Sequence, residues 1–461
     1  MPYSSKTPAH LLAELILEHR RLLRKDPSIL TACDADLKHY LDELKRHNLV
    51  TITQLWRERE RRLQGRDRTR TLDFLLRQLN DHYSKKSINR IETAHGTLIL
   101  GHRWWQEYSR YQTLKNGRPR AGPAFDDLAV LPHMRLIQER GHRFISTAGH
   151  KGQFSAFNKQ YTDGHPLRVG LVCFSGRAKT WFVGTEPLPR EQGAYGFKAS
   201  HVMPSEIFEA ELKACLAWAR KEKVHLLCLP ELCISQTGRA LLKREIEKNP
   251  GSLCLVFPGT FHEPDPDGSL ANTAPVWLIA EKGVVELANY AKGSRFEMAC
   301  DKAALLPNME DALEPARKKG LDNLKEDIRL SREILLLSTP IGLMGVMICK
   351  DMLIDSITQG YLEHVDHMVV LSMNGMPTNI FCGKAESAAR NHLTGSFYVN
   401  ATQAVGKNEK RIEMAFWYPP VKVGGTDRRT FFYREPTTTH PLSKEGYVLF
   451  QVEKIPPELI K

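Results

Sequence analysis

The chain has 461 residues, of which 42% are hydrophobic and 26% charged, an ordinary balance for a globular protein with a full core and an accessory domain. No apolar run approaches the roughly 18 residues that a membrane-spanning helix needs, and the N-terminus lacks the basic and apolar segments of a secretion signal. Nine scattered cysteines, an odd number, fit reduced thiols better than a disulfide framework. The composition therefore predicts a cytoplasmic protein that does not enter a membrane.

The net charge of +12 is concentrated in the N-terminal third. Residues 1–150 hold 27 Lys and Arg against 17 Asp and Glu, a net charge of +10, whereas the remaining 311 residues hold 38 against 36, a net charge of +2. The densest basic stretch, residues 57–70, could neutralise the phosphates of a nucleic acid. The acids within this stretch favour a solvated helix face with Arg–Glu pairing instead.

Residues 1 to about 112 show the apolar spacing of helices. Two short helices joined by a tight turn are expected within residues 37–57, an arrangement found in nucleic-acid-binding and protein-binding modules alike. A basic segment rich in proline and glycine, residues 115–123, is typical of a linker. We therefore predict a basic, mainly helical accessory domain over residues 1–125 and a linker or lead-in segment over residues 126–165.

From residue 167 onward, short apolar runs alternate with segments of helical spacing, such as residues 204–221 and 237–248. The apolar runs are bounded by proline, glycine or charged residues, as buried strands are. Strands that alternate with helices indicate an α/β fold. The sequence therefore predicts an α/β domain over residues 166–461.

Two of these runs end at reactive side chains, and a third reactive side chain lies between them. Glu231 follows the apolar run at residues 224–229, Cys349 follows the run at residues 341–348, and Lys292 comes between them in the chain. In open α/β sheets, reactive groups collect just beyond the carboxyl ends of the strands. Alone, each has an ordinary interpretation: a helix-capping acid, a solvated lysine or a buried thiol. The ordered set favours a catalytic site.

A carboxylate, an ammonium and a thiol supply complementary chemistry. Cys349 would be the nucleophile, and Glu231 would take the thiol proton and return it to a leaving amine. Lys292 would stabilise the negative charge on the attacked group, and we expect it also to lower the pKa of the thiol. The sequence has no Cys-x-x-Cys, His-Glu-x-x-His or phosphate-binding glycine motif, so neither a metal nor a cofactor is predicted.

These motifs resemble the nitrilase superfamily of carbon–nitrogen hydrolases, which carries Glu, Lys and Cys in this chain order at strand ends. The resemblance runs from about His165 to the C-terminus and includes the family's asparagine before an apolar strand, here Asn272. It implies a nitrilase-like four-layer α-β-β-α sandwich, a homodimer or larger homo-oligomer, a small amide or nitrile substrate and a thioester on Cys349. It also implies that the backbone N–H of Lys350 is a second oxyanion donor.

The family's second pocket glutamate has no clean counterpart in the sequence. Glu297 is the first candidate for a substrate-binding role and Glu314 the second. The 56 residues between Lys292 and Cys349 include the charged stretch 310–332, an insertion that we expect near the mouth of the pocket.

Two classes of function follow from the sequence. The triad favours hydrolysis of a non-peptide C–N bond in an amide, nitrile or carbamoyl compound. The alternative is a nitrilase-fold sensor or scaffold that binds nucleic acid or a protein partner through residues 1–125. Nitrilase domains accompany other modules, among them reverse transcriptases in antiviral defence, but that association belongs to the fold and is carried by no residue here.

Overall fold

The chain divides into two compact units, residues 1–140 with 391–393 and 455–461, and residues 141–390 with 394–454. The predicted boundaries at residues 125 and 165 stay predictions. A computed structural model describes these parts of the chain: residues 8–25, positions 72, 76 and 79, residues 89–94, 96–100, 134–137 and 142–145, residues 167–401 with short gaps, and residues 413–418, 430–433 and 447–452. No helix in these parts is both long and apolar enough to cross a membrane.

The described residues of the first unit form a helix and a three-stranded antiparallel sheet. Helix α1 (Pro8–Lys25) buries an apolar stripe. Strands β1 (Asn89–Thr93), β2 (Gly96–Leu100) and β3 (Met134–Ile137) pair in that order. The expectation of helices up to residue 112 is wrong for β1 and β2, because β-branched residues favour extended backbone and Gly96 supplies a positive φ of 124° at the turn. The basic stretch 57–70 lies outside the described residues.

The second unit contains most of the described structure. Its strands are β4 (His142–Ile145), β5 (Leu167–Val172), β6 (Lys179–Pro187), β7 (Ala194–Met203), β8 (Leu226–Leu229), β9 (Leu255–Pro258), β10 (Phe261–Pro264), β11 (Leu270–Ala280), β12 (Gly283–Ala291), β13 (Glu297–Ala299), β14 (Asn323–Glu326), β15 (Ile334–Thr339), β16 (Gly342–Ile348), β17 (His367–Ser372), β18 (Gly395–Asn400), β19 (Glu413–Tyr418), β20 (Thr430–Tyr433) and β21 (Tyr447–Val452). Its helices are α2 (Ser205–Lys221), α3 (Gln236–Lys248), α4 (Cys300–Ala303), α5 (Glu310–Lys318), α6 (Asp355–Leu362) and α7 (Asn379–His392), with 3-10 helices at Pro307–Met309 and Cys349–Leu353.

Two seven-stranded sheets form the centre of this unit. One has the order β10-β11-β9-β8-β5-β21, with β12 paired to β11, and the other has the order β20-β19-β18-β17-β16-β15-β4. The sheets contact each other through β8 against β17 and β5 against β18. Strands β5, β8 and β9 are parallel, as are β16, β17 and β18, so the carboxyl ends of each set lie at one edge of their sheet.

Helices cover the outer faces of the two sheets. A Cβ at Gly170 of β5 would lie 3.0 Å from the ring of Trp218, so the glycine lets α2 approach the first sheet closely. On the second sheet, the ring of Phe381 in α7 lies 4.9 Å from the ring of Tyr398 in β18. The layers therefore run helix, sheet, sheet, helix, and the predicted four-layer α-β-β-α sandwich is confirmed.

A third, four-stranded sheet lies beside the sandwich, with the strand order β13-β14-β7-β6 and helix α5 packed on β6 and β7. The predicted insertion, residues 310–332, supplies α5 and β14, and β13 and α4 directly precede it. Strand β14 pairs in parallel with β7 and ends at Glu326, whose side chain is fully buried. The insertion thus carries a charged group into the interior of the protein.

Candidate active site

Glu231 connects the two large sheets at the carboxyl end of β8. Its backbone N–H donates to the carbonyl oxygen of Ser372, at the end of β17, across 3.3 Å. Its Oε2 accepts the backbone N–H of Met373 at 2.9 Å. The side chain is buried, and the hydrogen bond from Met373 fixes one of its carboxylate oxygens.

Cys349 directly follows β16 and begins a 3-10 helix. Its φ of 48° lies in the left-handed region, which costs a residue other than glycine on the order of 1–3 kcal/mol and is a conformation that recurs at active sites. The thiol is buried and accepts a hydrogen bond from Ser372 Oγ, with 3.3 Å between Oγ and Sγ. The backbone turn therefore fixes the direction of the thiol.

Lys292 follows β12 directly and is 1% exposed. Its Nζ lies 2.7 Å from Glu231 Oε1 and 2.8 Å from Glu326 Oε2. Burial on its own would lower the pKa of Lys292, but the charges of the two carboxylates raise that pKa well above its usual value. The residue is therefore a fixed ammonium ion inside the protein.

Glu326 is the second carboxylate of the site. Its Oε2 also accepts the backbone N–H of Phe296 at 3.0 Å, while its Oε1 lies 2.8 Å from His262 Nε2 and 2.9 Å from Asn272 Nδ2. The Asn272 amide also donates to Glu231 Oε1 at 3.0 Å and so bridges the two carboxylates. Each oxygen of Glu326 thus has two hydrogen-bond donors.

The structure does not bring the two candidates named from the sequence for the second glutamate, Glu297 and Glu314, into this cluster. Glu297 is 43% exposed and pairs with Lys325 across 3.3 Å, and Glu314 is 61% exposed and pairs with a lysine one helical turn later. Strand β14 buries alternate residues, Leu324 and Glu326, and this alternation is the signal in the sequence that points to Glu326. The surrounding charged residues obscure it.

Two carboxylates share one ammonium, and their pKa values move apart. Burial raises the pKa of Glu231, and the charge of Glu326 adds to this effect although Lys292 opposes it. Burial also acts to raise the pKa of Glu326, but the charge of Lys292 and the hydrogen bond from His262 outweigh it and lower that pKa. Glu231 is therefore the more basic of the two carboxylates.

Lys292 acts to lower the pKa of Cys349, as the sequence predicts, but other effects determine the net direction of the shift. Burial, with a further contribution from the charge of Glu231, raises the pKa of the thiol to about 12, although Lys292 and the hydrogen bond from Ser372 act in the opposite direction. Burial could not be judged from the sequence motif. The thiol therefore holds its proton at neutral pH, and this proton must leave during attack on a substrate.

Asp351, two residues after the cysteine, fastens the turns that carry the thiol and the ammonium. It accepts hydrogen bonds from Tyr290 OH at 2.9 Å and from Ser294 Oγ at 2.6 Å. The backbone N–H of Gly293 donates to it at 3.2 Å, and that of Ile348 at 3.4 Å. Because Gly293 and Ser294 follow the buried lysine and Ile348 precedes the cysteine, this one carboxylate holds both turns together.

The backbone N–H of Lys350 stays a predicted oxyanion donor, and the Lys350 side chain is half-buried. Among the described residues, no group of three or more His, Cys, Asp and Glu is placed to hold a metal ion.

Comparison with protein-family models and with curated proteins gives no match. Among solved structures, the chain is similar to Nit3 from Saccharomyces cerevisiae, a member of branch 10 of the nitrilase superfamily, at 15% identity and a TM-score of 0.38, with 64% of this chain and 92% of that chain covered. It is also similar to an amidase from Nesterenkonia sp. at 12% identity and a TM-score of 0.38, with 63% and 92% covered. XC1258 from Xanthomonas campestris, a CN-hydrolase superfamily protein, matches at 12% identity and a TM-score of 0.36, with 63% and 91% covered. These proteins are members of the superfamily that the motifs resemble.

Proposed function

We propose that this chain hydrolyses a non-peptide C–N bond in a small amide, nitrile or carbamoyl compound through a thioester on Cys349. The observation that carries the proposal is the 2.7 Å hydrogen bond between Lys292 Nζ and Glu231 Oε1, deep in the protein. The charges of both groups act on the pKa of the Cys349 thiol, so the three lie within electrostatic range of one another. Base, electrostatic stabiliser and nucleophile are the parts that such a reaction needs.

In the first half of the reaction with an amide, Sγ attacks the carbonyl carbon while its proton passes to Glu231. The raised pKa of Glu231 suits it to take that proton. The carbonyl oxygen becomes an oxyanion, and Lys292, which uses two of its three N–H groups on carboxylates, has one left to donate to it. The C–N bond then breaks, Glu231 returns the proton to the departing nitrogen, and the acyl group remains on sulfur.

In the second half, water replaces the amine. Glu231 takes a proton from the water, whose oxygen attacks the thioester carbon, and a second tetrahedral intermediate forms beside Lys292. The C–S bond breaks, the thiolate recovers the proton from Glu231, and the acid leaves. The charge of Glu326 holds Lys292 protonated throughout the cycle.

The test is mass spectrometry of the intact protein with a panel of small amides, nitriles and carbamoyl compounds, in the presence of hydroxylamine. Wild-type protein should form an acyl adduct on Cys349 and release the matching hydroxamate, and Cys349→Ala should do neither. Hydrolysis of any substrate by Cys349→Ala at the wild-type rate would contradict the proposal.

The homo-oligomeric state stays a prediction. Binding of nucleic acid or a protein partner by residues 1–125 also stays a prediction, because the basic cluster on which it depends lies outside the described residues.

A further inference from the structure

His262 is a buried histidine in β10 that neither the motifs nor the proposed mechanism uses. Its Nδ1 lies 2.7 Å from the backbone nitrogen of Ala199 in β7, and its Nε2 lies 2.8 Å from Glu326 Oε1. The His262 side chain is 0% exposed and that of Glu326 is 1% exposed. The imidazole thus joins the backbone of β7 to the second carboxylate of the site.

The two contacts determine where the ring carries its proton. A backbone N–H can only donate, so Nδ1 must accept with its lone pair and cannot carry a hydrogen. The hydrogen of a neutral imidazole is then on Nε2, where it donates to Glu326. An imidazolium would place an N–H of Nδ1 against the N–H of Ala199. His262 is therefore held uncharged, as the Nε2–H tautomer.

We infer that His262 is a positioning residue for the reaction. Its Nε2–H orients the ionised carboxylate of Glu326, and this carboxylate in turn fixes the position of Lys292. The inference rests on the proposed function. Glu326 Oε1 is held by His262 and Asn272, which leaves Oε2 directed to Lys292 Nζ at 2.8 Å. A neutral donor achieves this orientation without adding a second cation.

The absence of a second cation matters for the basicity of Glu231. With His262 neutral, one ammonium faces two carboxylates, so the cluster has an excess of one negative charge that helps to raise the pKa of Glu231. An imidazolium at this position would cancel that excess and make Glu231 a weaker base. When the Cys349 proton passes to Glu231, a negative charge moves from the carboxylate to the sulfur. The total charge of the four side chains, Lys292, Glu231, Glu326 and Cys349, stays the same.

Two hydrogen bonds hold the His262 ring, one with Glu326 of β14 and one with the Ala199 N–H of β7. The residue opposite His262 in the neighbouring strand β11 is the neutral Asn272. Glu263, the next residue of β10, is occupied by Arg239 at 2.6 Å. The carboxylate of Glu326 is therefore the charged group that His262 contacts.

Two amide substitutions separate the two ends of the imidazole. In His262→Gln, the side-chain amide reaches about as far as Nε2 and can still donate to Glu326. In His262→Asn, the amide reaches only as far as Nδ1, so its oxygen can accept from Ala199 but the donor to Glu326 is lost. The readout is the rate at which iodoacetamide alkylates Cys349 in the full chain, measured by peptide mapping as a function of pH.

We expect His262→Gln to react within about threefold of wild type and His262→Asn to react about ten- to a hundredfold more slowly, the size of a hydrogen bond to a charged group. The acid limb of the rate profile should move to higher pH in His262→Asn, because a Glu326 without its donor is protonated more readily. A purely structural role would lower the rate of both variants and leave the acid limb in place. That result, or a wild-type profile for His262→Asn, would overturn the inference.

A second measurement does not depend on reactivity. In protein labelled with ¹⁵N at histidine, the resonances that disappear in His262→Gln belong to His262, and they should show a protonated Nε2 and an unprotonated Nδ1. A ring protonated on both nitrogens, or on Nδ1 alone, would overturn the inference. An inert wild-type Cys349 would instead count against the proposed function, so the two failures are distinguishable.

Discussion

Lys292 and Glu326 form an ion pair across 2.8 Å in which each side chain is 1% exposed. In Glu326→Gln, Lys292 stays paired with Glu231, but it loses its charge-assisted hydrogen bond with Glu326, an interaction worth about 1.5–3 kcal/mol. We therefore expect Glu326→Gln to lower the free energy of unfolding by about that amount near neutral pH, measured by urea denaturation. The matched control is Glu314→Gln, which removes an exposed carboxylate and should leave the free energy of unfolding close to that of the wild type.

The loss of stability in Glu326→Gln should depend on pH in one direction. The pKa of Glu326 is lowered in the folded protein, so its ionised carboxylate stabilises the fold. This contribution is complete above about 4.3, the pKa of a glutamate in the unfolded chain, and is lost as the pH falls from there toward the pKa of Glu326 in the folded protein. The stability gap between wild type and Glu326→Gln should therefore be constant near neutrality and shrink in acid. A gap that widened on acidification would contradict an ionised Glu326.

Substitution of the nucleophile should separate activity from folding. Cys349→Ala removes the attacking sulfur, so turnover should fall on the order of 10⁴-fold or more. The melting temperature should change little, because the turn with the positive φ of Cys349 is retained and only one sulfur atom is lost. Cys300→Ala, at a half-buried cysteine in α4, is the control and should keep wild-type turnover. Equal activity in both variants would exclude Cys349 as the nucleophile.

The raised pKa of Cys349 makes a prediction about alkylation. Because that pKa is about 12, iodoacetamide should react with wild-type Cys349 at neutral pH only if Glu231 takes the proton as the C–S bond forms. In Glu231→Gln the rate should fall by about tenfold or more at neutral pH and keep rising through the alkaline range without a plateau. Peptide mapping across pH measures this, with Glu297→Gln, at an exposed carboxylate, as the control. A plateau near neutrality in Glu231→Gln would mean that another group accepts the proton.

The sequence predicts the parts of the site that follow uninterrupted apolar runs. Glu231 and Cys349 each end a run that becomes a buried parallel strand, β8 or β16. The alternation of strands and helices predicts an α/β fold, and the family resemblance implies the four-layer sandwich. Parallel strands bring their carboxyl ends to one edge of a sheet, but β8 and β16 lie in different sheets. The proximity of Glu231 and Cys349 therefore also depends on the packing of the two sheets, in which β8 contacts β17.

Glu326 and His262 could not be located in this way. Glu326 reaches the site because an inserted strand, β14, pairs in parallel with β7, and this register depends on tertiary packing. His262 acquires its role from one carboxylate and one backbone N–H that are 64 and 63 positions away in the chain. The direction of the Cys349 pKa shift was equally inaccessible, because it depends on how completely the fold excludes water.

Asp351 offers a test of how the turns around the site are held. The carboxylate accepts hydrogen bonds from two hydroxyl groups and two backbone N–H groups, whereas the amide of Asp351→Asn has one acceptor oxygen and turns an NH₂ group toward donors. We expect Asp351→Asn to lower the free energy of unfolding by about 1–3 kcal/mol, the cost of leaving buried donors without acceptors. Alkylation of Cys349 should slow as well, because Gly293 and Ser294 fix the backbone beside the ammonium. Asp355→Asn is the matched control, since Asp355 is 76% exposed and pairs only with Lys384 among the described residues. If Asp351→Asn matched this control in both stability and alkylation rate, the two turns would be held by packing alone.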